Sequence, residues 1–351
     1  MRSKNMLLAM TLGLSLRFST AFAAELPIDP KFEGAGPLSG FVRSTLRNDD
    51  RDRLDLYVRH DGRRKPVLVF LPGSGCFPTI LKIKAGDRMA LGLTSPVLAK
   101  EAQNALGVHV AMLERRGIES LGDAIEREDA TPQKLLSKYP CTARNGGVTL
   151  QDRIDDSLHQ LRAITQQPWA GPLLLVGTSE GADVVAAIAA RQPKLPISAL
   201  LLIGGAGPSQ FFDLATLRRD AQSREGVEKV FADYLSFLDG DPPAQYLGYP
   251  ARRWKSFAID ETPLDNLLKT DMPLFIAHGE LDESVPIASA DLLAVELMRR
   301  QKRRAIYYWA VASADHSLSD SRGNHLPNII ETFVVWASNA PSGRKIVTRA
   351  P

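Results

Sequence analysis

The chain has 351 residues, 44% apolar and 24% charged, which excludes a disordered tail or a coiled coil and is enough to bury one large core. Its formal net charge of +3 is carried entirely by the first stretch, where Arg2, Lys4 and Arg17 stand without an acid, so the rest of the chain is neutral. No Lys/Arg patch with interleaved aromatics follows, and a nucleic-acid partner is not expected. No apolar run reaches the length of a bilayer span, so no stable membrane span is expected either.

In chain order, Arg2 and Lys4, the apolar stretch Met6 to Leu16 and the small-x-small Ala21-Phe22-Ala23 follow the order of an export signal with its cleavage site. This predicts a signal peptide over 1–23, a domain over 24–351, and a secreted or periplasmic location. A short N-terminal helix packed on that domain is the alternative.

From about Phe41 short apolar runs alternate with amphipathic stretches, the pattern of a sheet covered by helices. Leu54 to Arg59 alternates with period two. Val67 to Leu71 is wholly apolar and stops at Pro72-Gly73. Val108 to Leu113, Leu173 to Val176, Leu200 to Ile203, Leu274 to Ala277 and Ile306 to Trp309 repeat that form. Continuous apolar strands require burial on both faces, so the predicted fold class is α/β, with a mainly parallel central sheet, helices on both faces and small cap insertions.

Helices are predicted over Asp152 to Ile164, with Ile154, Leu158, Leu161 and Ile164 on one stripe, over the Ala-rich stretch Ala182 to Ala190, over Pro286 to Arg300, and over Asn328 to Ala337. Residues 118–150 and 205–271 break the alternation and read as cap-like excursions above the sheet. The second holds Phe211, Phe212, Phe231, Tyr234, Phe237, Tyr246, Tyr249 and Trp254, suited to a cap over an acyl pocket or to ordinary helix packing. Gln301-Lys302-Arg303-Arg304 reads as a solvated basic turn. Cys76 and Cys141 could form one disulfide in an oxidising compartment or remain free thiols. Neither Cys-x-x-Cys nor His-Glu-x-x-His occurs, so no metal and no cofactor is expected.

The strongest chemical signal is Gly177-Thr178-Ser179-Glu180-Gly181, directly after a buried strand and directly before an Ala-rich helix. A nucleophile on so tight a turn needs glycines where strand and helix converge, and the helix N-terminus then faces the developing negative charge. An unaided serine hydroxyl is too weak a nucleophile, so a base and an orienting acid are required. Asp282 lies in the loop after the strand ending near Ala277, and His316 in the loop after the next strand. The order Ser, Asp, His is the one this arrangement uses. Leu71-Pro72-Gly73-Ser74-Gly75-Cys76 follows an earlier strand and can supply an oxyanion hole. The N–H of Ser74, with Gly75 the near alternative, would act with the N–H of Glu180.

Several rivals are weighed against these. Glu280 and Glu283 flank Asp282, and Asp213 follows the preceding strand. His325 reads as a surface residue near a helix start. His278 suits hydrogen bonding to loop backbone, and His60, His109 and His159 read as structural or surface residues. The Glu180 side chain is expected to meet a cation, with Arg115 or Arg116 as candidate.

From about Pro66 to Ala337 the sequence resembles the α/β-hydrolase superfamily, within its esterase and serine-aminopeptidase-like group. The resemblance rests on Gly177-Thr178-Ser179-Glu180-Gly181, on His278-Gly279-Glu280-Leu281-Asp282 with Val285-Pro286, on Asp315-His316, and on Leu113-Glu114-Arg115-Arg116-Gly117. It implies Ser179 as nucleophile, His316 as base and Asp282 as orienting acid. Pro72 departs from the family, many of whose members carry His before the oxyanion glycine. The expected activity is hydrolysis of a carboxylic ester or thioester through an acyl-enzyme on Ser179, with a small-molecule or peptide-like acyl substrate. The alternatives are an aminopeptidase-like amide hydrolase, an acyltransferase, and a ligand-binding receptor on the same fold. Oligomeric state is left open.

Overall fold

The computed structural model describes residues 26–27, 40–48, 52–85, 88–93, 100–118, 124–126, 129, 132–141, 145–301, 304–339 and 343–347. The expected signal segment, 1–23, lies outside the described residues.

Ten strands form the central sheet: β1 (Leu26–Pro27), β2 (Val42–Arg47), β3 (Arg53–Arg59), β4 (Lys65–Leu71), β5 (His109–Leu113), β6 (Ala170–Thr178), β7 (Ile197–Ile203), β8 (Leu274–Gly279), β9 (Ile306–Val311) and β10 (Arg344–Val347). Their order is β1-β2-β3-β5-β4-β6-β7-β8-β9-β10. From β5 to β10 every pairing is parallel, and β1, β2 and β3 join antiparallel at one edge. The seven runs read from the sequence are the seven strands β3 to β9. β1, β2 and β10 are additional: β2 is an amphipathic strand near one edge and β10 a short polar one at the other, so neither carries a buried-strand signature.

The described residues form ten helices: α1 (Lys100–Leu106), α2 (Pro132–Lys138), α3 (Leu150–Thr165), α4 (Glu180–Arg191), α5 (Gln210–Asp220), α6 (Arg224–Asp239), α7 (Ala251–Ala258), α8 (Pro263–Leu267), α9 (Ile287–Arg300) and α10 (Leu326–Ser338). Alternation along each strand sends Leu56, Val69 and Leu175 to one face under α3, α4 and α9, and Phe70, Val176 and Leu201 to the other under α10. Helices therefore cover both faces. Thr149 caps α3 in a reciprocal capping box with Asp152. Pro286, the expected first helical residue, is instead the N-cap of α9, which begins one position later at Ile287.

Between β7 and β8 the chain runs through α5 to α8 and builds a small core of its own from Phe211, Val230, Phe237, Tyr246 and Trp254, while Phe231 is exposed. In the 118–150 segment, Ile125–Glu126 pairs with Ile80–Ala85 in a small second sheet, and Leu135 of α2 packs on Leu81 and Ile125. Cys76 and Cys141 are joined by a disulfide with Cα atoms 5.2 Å apart, closing a loop of 65 residues. By chain entropy such a loop contributes roughly 4 kcal/mol.

The basic run at 301–304 corrects one expectation. Arg304 is buried and donates to the carbonyls of Met272 (2.7 Å) and Leu267 (2.8 Å), because α8 ends beneath it with carbonyls that need donors. Among the described residues no helix is long and apolar enough to cross a membrane.

Candidate active site

Ser179 sits between β6 and α4 with φ 51° and ψ −127°, a conformation that L residues rarely hold. It persists because neighbours allow no alternative. A Cβ on Gly177 would lie 2.3 Å from the Gly181 carbonyl, one on Gly181 2.3 Å from the Leu71 carbonyl, and one on Gly205 2.2 Å from the Ser179 carbonyl. The backbone of β4, β6 and β7 thus closes on the turn from three sides. The Ser179 N–H donates to Ile203 O at 2.7 Å, which ties the turn to the end of β7.

Asp282 and His316 come from the loops after β8 and β9. Those loops can meet because Gly279 has no side chain: a Cβ there would lie 2.3 Å from Asp315 O and 2.4 Å from Ala314 O. The Glu280 N–H donates to Val311 O and the Leu281 N–H to Ala314 O, which fixes the pair. His316 Nδ1 then lies 2.7 Å from Asp282 Oδ2. The other carboxylate oxygen accepts the N–H groups of Ser284 and Val285, each at 2.8 Å. Burial works against ionisation of Asp282, yet hydrogen bonds from His278 and His316, with the Val285 N–H, hold its carboxyl well below the usual carboxylate range.

His316 and Ser179 share a platform. A Cβ on Gly204 would be 3.3 Å from His316 Cε1, and one on Gly205 3.0 Å from Ser179 Cα. Ser179 Oγ has no hydrogen-bond partner among the described residues, and the His316 side chain is 34% exposed. Gly73 abuts the serine on the opposite side, where a Cβ would be 3.6 Å from Oγ. The N–H groups of Ser74 and Glu180 are likewise without partners among the described residues.

None of the rival acids contacts His316 Nδ1 as Asp282 does. Asp213, in the first turn of α5, is half-buried and accepts a hydrogen bond from Ser289; desolvation of its carboxyl lifts its pKa to about 6. Glu280 and Glu283 are exposed. His325 is buried rather than on the surface, because it sits 3.0 Å from Asp320 beside the first turn of α10. His278 bonds the Val285 carbonyl at 2.8 Å as expected, and its Nε2 also lies 3.1 Å from Asp282 Oδ2. His60 and His109 pack around Trp169, and His159 is half-buried on α3.

The cation expected beside Glu180 is not Arg115 or Arg116. Glu180 is paired with Arg153 of α3 (2.8 Å) and with Arg253 of α7. Arg115 instead donates to the carbonyls of Gly73, Ser74, Gly75 and Phe77, and so holds the loop after β4 in shape. Arg116 pairs with Asp156 at 2.6 Å. Helical geometry explains the difference, since Arg153 neighbours Ile154 on the face of α3 that packs toward α4. A cation adjoining an apolar stripe was the available signal. Among the described residues, no cluster of three or more His, Cys, Asp or Glu side chains is placed to hold a metal ion.

No family model matches the chain, and no curated protein does. Solved structures do. Est1E from Butyrivibrio proteoclasticus is similar at TM-score 0.52 and 14% identity, over 86% of this chain and 98% of that one. The α/β hydrolase GrgF from Penicillium sp. sh18 is similar at TM-score 0.50 and 14% identity, over 83% of this chain and 96% of that one. The fold is that of the α/β hydrolases. A puromycin-hydrolyzing peptidase of Mycobacterium tuberculosis shares it at TM-score 0.51 and 15% identity, over 88% of this chain but 41% of that longer one. In an α/β-hydrolase sheet the loops beyond strand C-termini gather ligands and catalytic groups, and Ser179, Asp282 and His316 all stand there, after β6, β8 and β9.

Proposed function

We propose that the chain is an exported serine hydrolase of carboxylic esters or thioesters. Ser179 is the nucleophile, His316 the base and Asp282 the acid that orients it. His316 Nε2 takes the Ser179 proton as Oγ attacks the carbonyl carbon. The N–H groups of Ser74 and Glu180 receive the oxyanion, and His316 returns the proton to the departing alcohol or thiol. Water, deprotonated by His316, then releases the acyl group. The single observation that carries this reading is the 2.7 Å contact of His316 Nδ1 with Asp282 Oδ2, which leaves Nε2 for the serine seated on the adjoining Gly204-Gly205 platform.

Two further observations favour ester hydrolysis over its neighbours. An aminopeptidase needs a free carboxylate to hold the substrate α-amino group, and the acid beside the nucleophile, Glu180, is already shared by two arginines. An acyltransferase shields its acyl-enzyme from water, whereas the His316 side chain is 34% exposed.

The test is a panel of 4-nitrophenyl esters of graded acyl length run beside aminoacyl amides. We expect ester turnover, no amide turnover, and a fall in kcat of at least about 10⁴-fold in Ser179→Ala. Amide turnover exceeding ester turnover, or ester turnover that survives Ser179→Ala, overturns the proposal.

A further inference from the structure

Next to the nucleophile, under the loop after β4, a narrow cavity is walled by Arg115, Arg116, Arg153, Arg253, Tyr249 and Glu180, the last being the only acid on its wall among the described residues. The acids outside it are engaged with particular arginines. Glu114 lies 3.6 Å from Arg115 Nε and accepts the N–H groups of Thr79 and Arg115. Arg116 is held by two carboxylates, Asp156 at 2.6 Å and Asp152 at 3.4 Å. Glu180 is left to serve both Arg153 and Arg253. Arg253 therefore has no carboxylate that it does not share with Arg153.

Arg253 is 7% exposed and lies over the Tyr249 ring at 4.2 Å and the Phe257 ring at 5.1 Å, so the guanidinium is held rigidly. Its one hydrogen bond to the protein among the described residues is from Nη2 to Glu180, which leaves most of a five-donor fork unused. None of the unused nitrogens is sealed off among the described residues, so they are open to an oxygen brought into the cavity. Burial, with Arg153 adding to it, lowers Arg253 to about 10, and burial, with Arg115 adding to it, lowers Arg153 to about 9.

We propose that this cavity binds a carboxylate carried by the substrate, gripped by Arg253, so that the preferred esters are anionic. A carboxylate fits better than a phosphate because it presents two coplanar oxygens to a planar fork. The site adjoins the chemistry through Glu180, whose side chain forms part of the cavity wall and whose N–H borders the attacked carbonyl. This inference rests on the ester-hydrolase reading above.

The experiment measures kcat/KM for the monomethyl esters of succinate, glutarate and adipate against methyl butanoate, pentanoate and hexanoate. A second series sets acetyl esters of short hydroxy acids against alkyl acetates of equal length. We expect an anionic-to-neutral ratio of about tenfold or more in one series, expressed mainly in KM, as a charged hydrogen-bonded contact provides. The ratio collapses toward one in Arg253→Met, falls several-fold in Arg253→Lys, which keeps the charge and loses the fork, and stands in Arg224→Met on the exposed side of α6. The lysine variant serves alone if the methionine variant does not fold. A wild-type ratio near one in both series, or a ratio that survives loss of the Arg253 guanidinium, overturns the proposal while Ser179-dependent turnover of the neutral esters leaves the hydrolase reading standing. If no ester is turned over, slower fluorophosphonate labelling of Ser179 in millimolar glutarate supports the site and unchanged labelling overturns it. No labelling of Ser179 at all overturns both.

Discussion

Asp282 holds more than His316. Its Oδ2 faces His316 Nδ1 at 2.7 Å and His278 Nε2 at 3.1 Å, while Oδ1 takes two backbone N–H groups. His278 Nδ1 is buried without a hydrogen-bond partner, which suits the tautomer with its hydrogen on Nε2. Two outcomes follow for the pair. Asp282→Asn places a donor where His316 needs an acceptor and should lower kcat by about 10⁴-fold with little change in KM. His278→Leu removes one donor from the carboxylate, makes it a stronger base toward His316, and should shift the acidic limb of the kcat/KM profile upward. His278→Gln, which retains an N–H near the same point, should restore the limb. A limb unmoved in His278→Leu would show that His278 only fills space.

At this scale the serine, the acid and the histidine were legible because each belongs to a short pattern at a strand end. The Arg153 and Arg253 partners of Glu180 were not. They reach it from α3 and α7, and pairing across elements far apart in sequence leaves no spacing to read.

Among elements, the loop after β4 shows how one side chain stands in for secondary structure. Its carbonyls at 73, 74, 75 and 77 have no strand to bond, and Arg115 collects all four. Arg115 is kept buried by Glu114, whose carboxylate anchors the Thr79 N–H from the far end of the same loop. Arg115→Met should therefore blur the position of the Ser74 N–H and lower kcat by about 10²-fold, the scale of losing one oxyanion donor. A kcat within about twofold of wild type would mean the loop keeps its shape without that cation. Strands β3 to β9 could be read because burial on both faces leaves an uninterrupted apolar run. The antiparallel edge was missed at β2, where one half-buried face left a weaker pattern over six residues.

For the molecule as a whole, buried carboxyls set how stability responds to pH. Burial raises Asp183 to about 7 and Asp213 to about 6, with hydrogen bonds to Gln210 and Ser289 opposing the shift. Each ionises more easily in the unfolded chain than in the fold. Their contribution to stability is thus present in acid and is lost as pH rises from about 4 through those values. Asp282 has the opposite sign, and its contribution is lost only on strong acidification. Asp213→Asn, which can still accept from Ser289, should gain in Tm relative to wild type as pH goes from about 5 to about 7.5. A Tm difference independent of pH would show that Asp213 is ionised throughout.

The central claim is that Ser179 is activated by His316, which Asp282 orients. Fluorophosphonate labelling followed by peptide mapping tests it most directly. One label per chain is expected, on the peptide containing Ser179, absent in Ser179→Ala and slowed by at least about 10²-fold in His316→Ala, the low end of a general base's contribution. A folded protein that takes no label, that is labelled on another residue, or that labels equally fast without His316 would contradict it.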